Sequence, residues 1–121
     1  MKRTERVEKI VGVADTAAQY GSGLLNVFAT PAMIALMESA AHKLSQSIVT
    51  EGEDTVGTEV NIKHTRATPI GVDVYAEAEL IEKKERKLIF KITAYDNKGE
   101  IGNGTHVRFI ISPEKFMTKI S

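Results

Sequence analysis

The stretch Val27–Ala41, VFATPAMIALMESAA, is apolar on nearly every side when drawn as a helix, yet it carries one carboxylate, Glu38, in its middle. Thr30 followed by Pro31 predicts a helix start. A threonine hydroxyl can accept from an orphan amide, and proline at the first helical position lacks a donor that would be unpaired anyway. The helix is predicted to run from Pro31 to Ile48, and its apolar coverage is typical of a helix enclosed by other structure.

After this helix the apolar residues alternate with polar ones, which predicts strands. Turn-forming sequences separate the strands at TPIG (68–71), EKKERK (82–87) and DNKG (96–99). The residues predicted to share the apolar faces of four successive strands are Val56, Thr58, Val60, Ile62 and His64; Val72, Val74, Ala76, Ala78 and Leu80; Leu88, Phe90, Ile92 and Ala94; and Thr105, Val107, Phe109 and Ile111. A further strand is predicted around Val7 to Val13.

These elements predict an α+β fold. The last four strands have connections too short for parallel crossovers, so they are expected to be antiparallel neighbours. A helix that is apolar all round and a sheet with one apolar face bury each other if the sheet curls around the helix, which is the hotdog fold. One domain over residues 1–121 is expected, with a five-stranded sheet. Its uncovered edge favours a homodimer or a dimer of dimers.

The composition limits the classes of function. The chain has 121 residues with 16 Lys or Arg and 16 Asp or Glu, so no net charge favours nucleic acid or an anionic membrane surface. It has no cysteine, which excludes disulfides and thiolate catalysis and fits a reducing cytoplasm. No apolar run approaches the roughly 18 residues needed to cross a bilayer. A cytoplasmic protein without nucleic-acid or membrane partners is expected.

Glu38 has two interpretations. In the first, it belongs to a narrow polar stripe that faces solvent or a partner chain and is paired with His42 one turn later. Alternatively, a carboxylate flanked by Leu36, Met37 and Ala40 is partly desolvated and serves as a general base or nucleophile near neutral pH. Glu38 and His42 also have the spacing of a helical metal pair, but two ligands do not make a site and no metal is expected.

Other polar residues have structural and functional interpretations too. His64 falls on the apolar side of its strand, as either a hydrogen-bonded core residue or a group facing Glu38 or its copy in a partner chain. His106 is predicted to be structural or exposed, and Arg108 to be an outward, solvated charge. Gly57 is predicted at a bulge or a close approach, where its amide could donate to an oxyanion. About 12 Å of regular helix separates Thr30 from Glu38, so direct contact would need a bent helix start.

Three blocks of the sequence are VFATPAMIALME (27–38), VGTEVNIKHTRATP (56–69) and EIGNGTHVRFIISPEKF (100–116). In this order and spacing they resemble the fluoroacetyl-CoA thioesterase family of hotdog hydrolases, from about Val27 to the C-terminus. The resemblance implies that a threonine at the helix start, a glutamate in the helix and a histidine on the next strand are catalytic, and these fall on Thr30, Glu38 and His64. It also implies substrate contacts at Gly57 and Arg108.

One departure concerns substrate selectivity. The fluoroacetate-specific enzyme has phenylalanines that form a lid before the VFAT segment, whereas this chain has QYGSGLLN (19–26). Tyr20, Leu24 or Leu25 would line an acyl pocket, or the segment would be a mobile loop.

The predicted function is hydrolysis of a small acyl-CoA, such as a fluoroacetyl-CoA-like thioester, without a metal or other cofactor. The alternatives are a non-hydrolytic acyl-CoA-binding module and a hotdog enoyl-CoA hydratase or dehydratase.

Overall fold

A computed structural model of the chain describes residues 3–121. Its elements follow in the order β1 (Thr4–Ile10), a short 3₁₀ helix (Val13–Asp15), α1 (Ala17–Tyr20), α2 (Thr30–Ser45), β2 (Asp54–His64), β3 (Asp73–Lys84), β4 (Lys87–Asp96), β5 (Gly99–Ile111) and α3 (Pro113–Ile120). The five strands form one antiparallel sheet in the order β1-β3-β4-β5-β2. This sheet packs around α2, so the predicted α+β hotdog fold is confirmed.

Helix α2 is the centre of the core because most of its circumference is buried. Its buried residues are Ala32, Met33, Leu36, Met37, Ala40, Ala41, Leu44 and Ser45. Three of these are alanines, and β3 opposes them with two further buried alanines, Ala76 and Ala78. Small side chains on both sides allow the helix to lie close to the sheet, and larger residues of β4, such as Phe90, fill the space beyond.

The ends of α2 differ from the prediction. Ala29 occupies the N-cap position with extended backbone angles, and Thr30 is already helical. The hydroxyl of Thr30 therefore does not cap the helix, and the predicted capping role is wrong. The helix also ends at Ser45 rather than Ile48, because the next residues form turns in which the Ile48 amide donates to the Ser45 carbonyl, 2.9 Å away.

The order of strands in the sheet corrects one prediction. Strands β2 and β3 are consecutive in sequence but are not neighbours, because β2 pairs with β5 at the sheet edge and β3 pairs with β1 and β4. The connecting segment crosses the end of the sheet, where the Thr65 amide donates to Ile101 O (2.7 Å) and the Phe28 amide donates to Thr68 O (2.8 Å). The remaining consecutive pairs, β3 with β4 and β4 with β5, are neighbours as predicted.

The faces of β3 and β4 are as predicted, but those of β2 and β5 are not. In β2 a bulge between Gly57 and Glu59 shifts the alternation. Thr55 and Gly57, rather than Val56 and Thr58, therefore share the inner face with Val60, Ile62 and His64.

In β5 the predicted face is reversed. His106 and Arg108 pair with the core residues Phe90 and Leu88 of β4, so both point towards the helix side, and both are buried. Thr105 and Phe109 are exposed. His106 is not exposed, and the alternative that it is structural is not contradicted. Because the side chains of His106 and Arg108 both point inward, the prediction that Arg108 is a solvated charge is wrong. The cause is the period of two in a strand, through which a one-residue error in phase moves every side chain to the other face.

No helix within residues 3–121 is long and apolar enough to span a membrane.

Candidate active site

Thr30 and His64 form one half of the site. Two backbone hydrogen bonds hold the chain just before Thr30, from the Phe28 amide to Thr68 O and from the Ala29 amide to Asp15 O, each 2.8 Å. Thr30 then begins α2 with its hydroxyl 2.8 Å from Nδ1 of His64, the last residue of β2. The buried segment before the helix thus places the hydroxyl against the imidazole instead of against the helix amides.

The His64 ring is partly buried, and its two nitrogens have different surroundings. Burial lowers the pKa of His64, and the nearby backbone of Arg66 offsets this only in part, so the ring is neutral at neutral pH. Nδ1 is bonded to Thr30, whereas Nε2 is buried and has no hydrogen-bond partner within the described residues. Nε2 is therefore the ring nitrogen of His64 that can still form a hydrogen bond with another group.

An open cleft of about 500 Å³ lies against this pair. Its walls include Phe28, Thr30, His64 and Arg66, so it combines apolar surface with hydroxyl, imidazole and guanidinium groups. Tyr20, Leu24 and Leu25 lie on the surface outside this lining, and Leu24 is 95% exposed. Tyr20, Leu24 and Leu25 therefore do not supply an apolar wall to the cleft.

Glu38, Gly57, His106 and Arg108 form the second half of the site. A methyl group placed on Gly57 would lie 3.0 Å from Cε1 of His106, 3.1 Å from Oε2 of Glu38 and 3.3 Å from Nη1 of Arg108. Gly57 is exposed and lies at the predicted bulge of β2. The absence of a side chain at Gly57 thus leaves a small opening onto a carboxylate, an imidazole and a guanidinium.

Arg108 is 7% exposed and is held by several hydrogen bonds. Nε donates to Thr55 Oγ1 (2.8 Å), Nη2 donates to Thr55 O (3.0 Å) and Nη1 donates to His106 Nε2 (3.1 Å). Burial lowers the pKa of Arg108, and the charges of Glu38 and Asp54 oppose that shift. A guanidinium stays protonated in proteins, so a fixed positive charge lies beside Glu38.

Burial also lowers the pKa of His106, and the positive charge of Arg108 lowers it further. The backbone carbonyl of Glu59 and the carboxylate of Glu38 raise it in part. His106 is therefore neutral at neutral pH, like His64.

The two halves of the site are separate within one chain. Glu38 and Thr30 lie on the same regular helix, about 12 Å apart along its axis. Among residues 3–121, Glu38 forms no hydrogen bond or ion pair with His64, and the imidazole in its half of the site is that of His106. The predicted pairing with His42 is also wrong, because His42 Nε2 bonds Asp54 Oδ1 at 2.8 Å.

Two residues of the second half were misplaced by sequence reasoning. His106 and Arg108 were assigned to the outer face because Val107 and Phe109 are the apolar residues of that segment. A signal was nevertheless present, since Gly102, Gly104, His106 and Arg108 alternate at the period of a strand. Glycine permits close approach of neighbouring groups, so this alternation indicates a strand face that packs tightly against another element. No group of three or more metal-binding side chains occurs within the part of the chain that the structure describes.

Comparison with known proteins gives consistent matches. Residues 11–114 match the family of fluoroacetyl-CoA-specific thioesterases. The chain is 42% identical over 94 residues to the fluoroacetyl-CoA thioesterase of Streptantibioticus cattleyicolor, which covers 78% of this chain and 68% of that protein.

Two solved structures of the fluoroacetyl-CoA thioesterase FlK are also similar. One has a TM-score of 0.90 at 35% identity and covers 99% of this chain and 95% of that chain. A mutant of FlK in complex with fluoroacetate and CoA has a TM-score of 0.89 at 35% identity and covers 95% of this chain and 94% of that chain.

Proposed function

Because the chain belongs to the fluoroacetyl-CoA-specific thioesterase family, we propose that it is an acyl-CoA thioesterase that releases a small acyl group from coenzyme A as the free acid. The observation that carries this proposal is the hydrogen bond of 2.8 Å between Thr30 and His64 at the edge of an open cleft. Glu38, a carboxylate that forms no ion pair with any residue from 3 to 121, lies on the same helix.

The chemistry needs a nucleophile, a proton donor and donors for the developing oxyanion. A thioester carbonyl is already electrophilic, so Glu38 would either attack it directly, forming an acyl anhydride that water then hydrolyses to the free acid, or activate a water molecule to attack it. His64, neutral at rest, would position the water, take a proton from it and return that proton to the thiolate released when the carbon–sulfur bond breaks. The Thr30 hydroxyl and the Gly57 amide would donate to the oxyanion, assisted by the N-terminal dipole of α2. Arg108 would hold the substrate through its positive charge.

We further propose that each site is shared between two chains of a homodimer. One thioester carbonyl cannot contact both Thr30 and Glu38 of a single regular helix, since about 12 Å separates them. Strand β2 is an edge strand of 11 residues, and on its inner face Val60 is 43% exposed. A second copy that pairs along β2 would cover this face, and it would bring its Glu38 half towards the Thr30 and His64 half.

The substrate class follows from the cleft and the relatives. A relative binds fluoroacetate and CoA, and the open cleft beside Thr30 has room for a short acyl group. The lid-forming phenylalanines of the fluoroacetate-specific enzyme are replaced here by a segment whose leucines point into solvent. A small acyl-CoA is therefore the proposed substrate, without selectivity for the fluorinated acid. The cytoplasmic location predicted from composition stays a prediction, which cell fractionation would test.

The test is release of free thiol from a panel of short acyl-CoAs by the purified protein. Glu38→Gln and His64→Ala should each lower kcat/KM by about 10²-fold or more. Glu51→Gln, the same change on an exposed turn, should leave the rate unchanged. Binding of acyl-CoA without thiol release would favour the non-hydrolytic module, and loss of enoyl absorbance without thiol release would favour a hydratase. Wild-type rates in both site variants would exclude the proposed roles.

A further inference from the structure

His106 is a buried histidine for which the proposed reaction has no role. It is 1% exposed, and both of its ring nitrogens have partners that fix their protonation. Nδ1 lies 2.8 Å from the carbonyl oxygen of Glu59, which can only accept, so Nδ1 carries the proton. Nε2 lies 3.1 Å from Nη1 of Arg108, which can only donate, so Nε2 carries a lone pair. Two independent contacts thus require the same neutral tautomer.

The partners of Arg108 on the opposite side form a directed chain of hydrogen bonds. Ser45 Oγ donates its single proton to His42 O at 2.7 Å. Thr55 Oγ1, 3.0 Å from Ser45 Oγ, must therefore donate to that serine, and it accepts from Arg108 Nε. This chain connects α2, β2 and β5. Within residues 3–121, His106 is the only side chain that bonds Nη1 of Arg108.

The three acceptors that bond the Arg108 guanidinium are all neutral, so none of them compensates its positive charge. A carboxylate in the place of His106 would orient Arg108 equally well, but it would also neutralise the guanidinium. An imidazole acceptor fixes the orientation and leaves the positive charge uncompensated within its hydrogen bonds. Three of the five guanidinium protons are used by Thr55 and His106. The remaining two, one on each terminal nitrogen, are available to a ligand near Gly57 or to Glu38.

We propose that His106 is a positioning residue for substrate binding, which holds the Arg108 guanidinium towards the opening at Gly57 and leaves its two remaining N–H donors available to an anionic or carbonyl group of the acyl-CoA. The inference rests on the proposed role of Arg108 as a substrate contact. The competing explanation is that His106 only fills space beside Phe90, whose ring centroid is 6.4 Å away.

Two substitutions separate these explanations. His106→Leu removes the acceptor and keeps an apolar side chain of similar size, whereas His106→Gln keeps an oxygen that can accept from Nη1. We expect His106→Leu to raise KM for acyl-CoA and Kd for CoA about tenfold, with kcat changed less than about threefold. His106→Gln should restore both values to within about threefold of wild type. A purely packing role predicts unchanged KM and Kd in the leucine variant, or equal losses in both variants, and either result would overturn the proposal.

A spectroscopic measurement tests the proposal without any variant. Long-range ¹H–¹⁵N spectra of the wild-type protein should show His106 protonated at Nδ1 and unprotonated at Nε2, and the opposite tautomer would overturn the proposal even if His106→Leu does not fold. Arg108→Met separates this inference from the proposed function. If Arg108→Met leaves Kd for CoA unchanged while His106→Leu raises it, His106 does not act through Arg108 and the inference is wrong. Thiol release by the wild-type protein decides the proposed reaction independently of either result.

Discussion

The hydroxyl of Thr30 and Nδ1 of His64 are 2.8 Å apart, so one hydrogen bond joins the first residue of α2 to the last residue of β2. Neither residue needs this contact to complete its own element. Ala29 occupies the N-cap position of the helix without a side-chain cap, and His64 is paired through the backbone with Gly102 of β5. Neither the helix nor the strand therefore requires this hydrogen bond, which places the hydroxyl and the imidazole side by side at the cleft.

This arrangement predicts that Thr30 matters for activity and little for stability. Thr30→Val keeps the shape of the side chain and removes the hydroxyl, so kcat/KM should fall about 10²-fold, and Thr30→Ser should retain most of the activity. Because the hydroxyl does not cap α2, the free energy of unfolding of Thr30→Val should stay within about 0.5 kcal/mol of wild type. Thr118→Val, on the exposed face of α3, is the matched control. A stability loss of about 1 kcal/mol with normal activity would instead indicate a cap.

The activity should depend on pH through His64. Burial lowers the pKa of His64 from its ordinary value of 6.5, and protonation would replace the neutral ring that the proposed reaction uses. We expect kcat/KM to fall at acidic pH with a midpoint below 6.5. Because kcat/KM reports the free enzyme, a pH series at low substrate concentration measures this value directly. An acidic limb above pH 6.5 would contradict the assignment.

Stability should change with pH in the same direction. The folded-state pKa values of His64 and His106 are both below 6.5, so below this pH the unfolded chain binds more protons than the folded chain. The stability linked to the neutral rings is present above pH 6.5 and is lost as pH falls through the folded-state pKa values. Urea unfolding between about pH 5 and 7.5 should show this loss. It should be smaller in His106→Gln, which removes one of the two groups, and an equal loss in that variant would exclude His106 as a contributor.

The predictability of the fold and of the site differed for physical reasons. The pattern of α2, β3 and β4 was read correctly because apolar burial alone decides which of their residues face the core. Strand β5 was read in reverse because its inner face carries Gly102, Gly104, His106 and Arg108 instead of apolar residues. A side chain on Gly104 would collide with the Asn61 backbone, and one on Gly102 would collide with Met33. Where glycines and polar site residues occupy the inner face of a strand, the spacing of its apolar residues no longer predicts which face is buried.

Strand β2 was misread for a different reason. Gly57 predicts a bulge or a close approach, but the regular alternation of the sequence does not show that this bulge changes the phase of the strand, because the pairing partner is not visible in a sequence. The residues of the candidate site, Thr30, Glu38 and His64, were identified from the sequence blocks. Their separation into two halves was not, because it depends on which strand lies against which end of α2.

Gly57→Ala should impair activity more than stability. The added methyl group would lie 3.0 Å to 3.3 Å from His106, Glu38 and Arg108, so these side chains must shift by a few tenths of an ångström. We expect kcat/KM to fall about tenfold or more, with a cost in stability below about 2 kcal/mol. Gly12→Ala, whose methyl group meets only Asp15 at an ordinary 3.5 Å, is the matched control. Equal activity of the two variants would show that the opening at Gly57 has no role.

The exposed segment before α2 predicts weak selectivity for fluorinated substrate. Leu24 is 95% exposed and Leu25 is 68% exposed, so neither encloses the cleft beside Thr30. A site open to water distinguishes poorly between substrates that differ by one small substituent. The kcat/KM values for fluoroacetyl-CoA and acetyl-CoA, after allowance for their different rates of uncatalysed hydrolysis, should agree within about tenfold. A preference of several orders of magnitude for the fluorinated substrate would require a closed lid.

The separation of Glu38 from Thr30 and His64 predicts complementation between chains. In a heterodimer of a Glu38→Gln chain and a His64→Ala chain, purified with two different tags, a shared site leaves one of two sites intact. About half of the wild-type activity is then expected, although each homodimer is inactive. The reciprocal heterodimer pairs a chain carrying both substitutions with a wild-type chain, and in a shared arrangement it has no intact site. If each site were built from one chain, the activities of the two heterodimers would be reversed, so this pair of measurements decides between the arrangements whatever the detailed mechanism.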